Sequence, residues 1–113
     1  MKAIKIMGVR ISFSRMSNVQ LQAHIRRTAQ DSSRVFFLEH AQLRMLERCV
    51  NDFQVLECLQ QGLIQRPPKV DDQSGEVRAR MEHFGSARNL SVVVGLDEHD
   101  PDLLVVTVIT QAR

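Results

Sequence analysis

With 113 residues the chain is long enough for one domain with a sizeable core, and its 43% apolar and 25% charged shares are ordinary for a globular protein. A formal charge of +2 falls well short of the density of a dedicated duplex binder. Tyr and Trp are absent and Phe occurs five times, which speaks against a base-stacking platform and leaves Val, Leu, Ile and Met to build the core.

The charge is uneven. Residues 1–49 carry nine Lys/Arg against three Asp/Glu, and residues 50–113 carry six against ten. A basic surface is therefore expected from the N-terminal half, suited to a small anion, an RNA segment or an acidic protein. Cys49 and Cys58 match no zinc or redox spacing and are expected to be reduced and buried. The apolar start Ala3 to Met7 is too short for a signal peptide, and no run approaches the roughly 18 residues of a membrane span. A cytoplasmic protein without membrane contact is the expectation.

In chain order, Lys2 to Val9 alternates loosely and suggests a short strand or arm. Ser17 with Gln20 forms a capping-box pattern that opens a helix over residues 18–30. Leu21, Ile25, Thr28 and Ala29 make its apolar stripe, and His24, Arg26 and Arg27 are assigned to its outer face. After Asp31-Ser-Ser, the short run Val35 to Leu38 suits a strand or a hydrophobic staple. Residues 39–50, EHAQLRMLERCV, form a central helix whose one arc carries His40, Arg44, Glu47 and Arg48. Asn51 and Gln54 cap a third helix, which ends at Gly62.

Beyond Gly62 the period changes to two. Leu63-Ile64 begins a strand that Pro67-Pro68 stops, and residues 69–75 form a polar turn region. From Glu76 to Phe84, Val77, Ala79 and Met81 face one way while Arg78, Arg80 and Glu82 face the other. Residues 85–89 connect to a strand at Leu90 to Leu96. An acidic turn at 97–102 leads into Leu103 to Thr110, whose continuous apolarity predicts a strand covered on both faces. Helices followed by a strand meander predict an α+β domain, with N-terminal helices on one face of an antiparallel sheet of about four strands.

Arg78, Arg80 and Glu82 stand about 6–7 Å apart along their strand. Two guanidinium groups grip a phosphate, and a carboxylate beside them serves as a base. His40 or His83 would complete an inventory for metal-free RNA cleavage. The alternative is a solvated face whose charges pair across strands. His83 should turn with Met81 toward the packed side, and His99 sits in the acidic turn. No metal-ligand spacing, phosphate loop or dinucleotide fingerprint occurs, so no cofactor is expected.

The pattern His40-Ala41-x-x-Arg44-Met45-x-x-Arg48 continues through Val55-x-x-x-Leu59-x-x-Gly62-x-Ile64 and Leu104 to Val108. In these residues the chain resembles an uncharacterised bacterial domain-of-unknown-function family, itself similar in fold to the RelE/BrnT-like toxins. The likeness spans roughly residues 36–109. It implies a RelE-like core over residues 35–113 behind an N-terminal extension, residues 1–34. The resemblance also implies a toxin-like or toxin-derived protein of a mobile element that contacts RNA or the ribosome, and any activity would be metal-independent endoribonuclease chemistry. His40, Glu82 and Arg80 are then the candidate catalytic residues, with Arg44, Arg48 and Arg78 holding RNA or another anion. The rival expectation is a protein-binding module for an acidic, antitoxin-like partner, or a structural homodimer.

Overall fold

The computed structural model describes residues 5–6, 9–85 and 88–111, with side chains over 11–85 and 88–110. Its elements run β1 (Lys5–Ile6), β2 (Val9–Arg10), α1 (Asn18–Thr28), β3 (Val35–Phe37), α2 (Glu39–Arg48), α3 (Asp52–Gln61), β4 (Leu63–Ile64), β5 (Lys69–Val70), β6 (Val77–Phe84), β7 (Asn89–Asp97) and β8 (Asp100–Gln111). The expected turn residues Ser86 and Ala87, and part of the expected Lys2–Val9 segment, lie outside the described residues.

Both capping boxes form. Ser17 Oγ accepts from Gln20 N at 3.2 Å while Gln20 Oε1 accepts from Ser17 N at 2.9 Å, and Asn51 and Gln54 exchange the same pair at the start of α3. α1 buries Leu21, Ile25 and Thr28, but also His24, which was expected outside. The correction follows from spacing: His24 stands three residues after Leu21 and four before Thr28, inside the buried stripe. Arg26 reaches across to the end of α3, donating from Nε and Nη2 to the Gly62 carbonyl at 2.9 and 2.7 Å. It thereby satisfies carbonyls that a helix end leaves open.

α2 ends two residues earlier than its pattern suggests, because Cys49 adopts left-handed backbone (φ 55°, ψ 47°). Val50 N then closes back onto the Met45 carbonyl at 2.9 Å. This turn exposes Cys49, against the expectation of burial, while Cys58 on α3 is buried as expected. α3 stops at Gly62, whose backbone is extended rather than left-handed. Glycine is needed there for closeness: an added Cβ would collide with the Cys58 carbonyl oxygen and lie 3.0 Å from that of Glu82.

The sheet is larger and less uniform than expected. Its order is β3-β8-β7-β6-β4, with β5 also paired to β6, making six strands. β3 pairs with β8 in parallel, Val35 opposite Leu103, and the other pairs are antiparallel, so the sheet is mixed. β4 falls where Leu63-Ile64 predicts a strand and β3 within the run Val35 to Leu38, whereas β5 lies in the expected polar turn region and, at two residues, is too short to show a period of two. β7 is the middle strand. β8 is flanked by β3 and β7, yet it is fully covered on one face only: Leu103, Val105 and Val108 are buried, and Leu104 and Ile109 half-buried.

One core joins the layers. Val77, Ala79 and Met81 of β6, Leu90 to Leu96 at alternate positions of β7, and the inner residues of β8 meet Ala41, Met45, Val55, Cys58 and Leu59. Phe13, Met16, Leu21, Ile25 and Ala29 belong to the same cluster, so the described part of residues 1–34 contributes to this core. Phe13 N also donates to Glu98 Oε2 at 2.6 Å, tying it to the turn before β8. The α-helices α1, α2 and α3 lie on the side of Met81, so among the described residues no α-helix covers the opposite face of β6.

Candidate functional site

Arg78, Arg80 and Glu82 project from that helix-free face, as alternation requires. Across the sheet Arg78 pairs with Lys69 and Gly95, Arg80 with Val93, and Glu82 with Leu63 and Ser91. Arg78 is half-exposed, and its Nε donates to Glu76 Oε1 at 3.2 Å. The Glu76 carboxylate itself lies over Gly95, in the space a Cβ would fill.

Arg80 and Glu82 are less well satisfied. Glu82 is only 5% exposed. Among the described residues its Oε2 has no hydrogen-bond partner, and neither has the buried Nε of Arg80. The cation nearest Glu82 is Arg66, with Nε 3.7 Å from Oε2 and a largely exposed side chain. A buried polar atom without a partner costs about 1–3 kcal/mol. Two such atoms of opposite character, two residues apart on the sheet face away from the α-helices, form a place where a phosphate oxygen and a hydroxyl would each find a mate.

The α2 candidates lie elsewhere. His40 is exposed at the helix start. Arg44 Nη1 donates to Glu47 Oε1 at 2.5 Å, and Arg48 Nη1 lies 3.7 Å from the same oxygen. One carboxylate thus offsets part of both guanidinium charges. Because α2 packs on the inner side of β8, the sheet separates His40, Arg44 and Arg48 from Arg78, Arg80 and Glu82. The two groups cannot close on one phosphate.

The profile of a family described as "Domain of unknown function (DUF4258)" matches residues 37–110. The chain belongs to that family. No curated protein and no solved structure matches it. The DUF4258 span runs from the end of β3 to the end of β8 and holds both residue groups, whereas α1 precedes it.

Sequence reasoning missed several residues in this DUF4258 chain. Arg66 gave no signal beyond standing before Pro67-Pro68, since only the pairing of Leu63 with Glu82 brings it near the carboxylate. His83 turns inward as expected, and there its Nε2 lies 4.0 Å from Glu57 Oε1 of α3. Glu57 had no assigned role. The Cys58 thiol is pushed up to about 12, chiefly by burial, and its Sγ sits 3.3 Å from the Met81 carbonyl, so it is packing rather than a nucleophile. Among the described residues no group of three or more His, Cys, Asp or Glu converges as a metal site, and no helix is long and apolar enough to cross a membrane.

Proposed function

We propose that this DUF4258 protein is toxin-like, or derived from a toxin of a mobile element, and contacts RNA through the helix-free face of its sheet. The observation that carries the reading is the pair Arg80 and Glu82, each with a buried, unpartnered polar atom on that face. Arg78 and Arg80 grip phosphate, and Arg66 moves from Glu82 to the incoming anion. In the metal-independent cleavage this supports, Glu82 takes the proton of a ribose 2′-hydroxyl. The freed oxygen attacks the neighbouring phosphorus, the bond to the 5′-oxygen breaks, and a water proton completes the leaving hydroxyl. The guanidinium groups offset the added charge at phosphorus. His40 has no part in this step.

The test is labelled RNA incubated with the protein, alone and with ribosomes. Glu82→Gln should abolish cleavage while binding persists. Arg78→Ala/Arg80→Ala should weaken binding and flatten its salt dependence by about 1.4 in the log–log slope, at about 0.7 per lost phosphate contact on a single strand. A wild-type protein with neither cleavage nor salt-sensitive binding would sink the reading. The rival is a protein-binding module, favoured by Leu43 and Leu46, which stand 50% and 78% exposed on α2 beside His40 and Arg44. It predicts partner affinity that survives Glu82→Gln and His40→Gln.

A further inference from the structure

On the inner side of the sheet, where β6 and β7 meet α3, a cleft of about 280 Å³ is lined by Gln54, Glu57, His83, Phe84, Gly85, Arg88 and Leu90. It lies on the other side of β6 from Arg80 and Glu82. Its size is near the lower end of ligand pockets, so it suits a small molecule or one unit of a polymer. Its chemistry is of mixed sign. Arg88 is fixed by its Nη1, which donates to the Arg48 carbonyl at 2.6 Å. That anchoring leaves its remaining N–H groups as a rigid fork for an anion. Opposite in character is Glu57, half-exposed, with His83 Nε2 at 4.0 Å from its Oε1. Gln54 spends its Oε1 on the Asn51 N–H at 2.9 Å, so its side-chain contribution to a ligand is the amide N–H₂.

A plain inorganic anion would meet the Glu57 carboxylate as a like charge. A ligand with phosphate at one end and hydrogen-bond donors at the other satisfies the whole set. We infer that this cleft binds a single nucleotide whose base carries an exocyclic amino group. Arg88 holds the phosphate, the His83 ring stacks on the base, and Glu57 accepts from the amine as carboxylates do from cytosine N4. Gln54 donates to a base carbonyl or ring nitrogen. Uracil is disfavoured because its O4 would face the carboxylate without a donor. The nucleotide is either free or the splayed-out member of a single strand. Only the second source rests on the RNA reading above.

Calorimetric titration with CMP, AMP, UMP and inorganic phosphate tests this on the intact protein, with C-rich and U-rich oligoribonucleotides as the second arm. CMP or AMP should bind about tenfold more tightly than UMP, and phosphate alone should bind more weakly than any of them. Arg88→Ala should remove most of the affinity. Since Arg88 also holds α2, Glu57→Gln provides a variant that leaves packing intact, and it should erase the preference over UMP. In the Arg78→Ala/Arg80→Ala background CMP binding should persist, which separates this cleft from the sheet face. If only the oligonucleotides bind, the same C-over-U preference, lost in Glu57→Gln, places the nucleotide within a strand. Absence of nucleotide binding in both arms, or binding indifferent to Glu57→Gln and Arg88→Ala, overturns the inference.

Discussion

His24 packs against the Phe13 ring, centroids 4.9 Å apart, and its Nε2 is buried with no hydrogen-bond partner among the described residues. Burial first, then the Arg27 and Arg34 charges, lowers its pKa from 6.5 to about 4. In the unfolded chain the imidazole keeps its ordinary value. Between pH 6.5 and 4 the unfolded state therefore binds the extra proton, so stability falls as pH drops through that window and levels off below it. The loss is on the order of 2–3 kcal/mol. His24→Leu removes this titration. Urea midpoints of the wild type and His24→Leu at pH 7.5 and 4.5 should therefore diverge on acidification, with the variant losing less. Parallel shifts would show that the imidazole is protonated in the folded state as readily as in the unfolded one.

At the scale of elements, the long pieces are legible from residues; of the short ones, β4 shows at Leu63-Ile64 and β3 as a strand or staple, while β5 lies in a stretch that reads as a polar turn. Both capping boxes, the inward run Val77, Ala79, Met81 and the alternation of Leu90 to Leu96 show their period over several turns or residues. β3, β4 and β5 have two or three residues each, and the parallel pairing of β3 with β8 depends on residues 68 positions apart, Val35 and Leu103. Helix ends show a subtler lesson. A glycine after a helix suggests a left-handed cap, yet Gly62 is extended and is there because the Cys58 and Glu82 carbonyls leave no room for a Cβ. The left-handed cap belongs to Cys49, which has a Cβ. For an L-residue this conformation costs about 1–2 kcal/mol, partly offset in a glycine variant by the entropy of its unfolded chain. Cys49→Gly should raise stability by about 0.5–1 kcal/mol, and Gly62→Ala should lower it by about 1–3 kcal/mol through overpacking. Denaturant midpoints at unchanged slope check both, and a neutral Gly62→Ala would mean that α3 and β6 part more easily than their spacing implies.

For the whole molecule, the sheet decides which residues can act together. His40, Arg44 and Arg48 share an arc in sequence, as do Arg78, Arg80 and Glu82, but only the packing of α2 on β8 reveals that they lie on opposite sides. The Glu57–His83 approach is equally invisible beforehand, because it joins two elements whose pairing no local pattern encodes. The same layering bears on where the folding unit begins. The family match starts at residue 37, after α1, yet Phe13, Met16, Leu21, Ile25 and Ala29 complete the core under the sheet. Losing the three largest of these to solvent costs roughly 1.5–3 kcal/mol apiece, which together rivals the typical 5–15 kcal/mol of a whole domain. Arg26, which holds the last carbonyls of α3, would leave with them. A fragment of residues 35–113 should therefore lose cooperative unfolding and bind a hydrophobic dye, with amide resonances collapsed toward random-coil shifts. Adding a peptide of residues 11–34 should restore dispersion, because the missing face is complementary to it. A fragment that unfolds sharply without the peptide would show that α2, α3 and the sheet close a sufficient core by themselves.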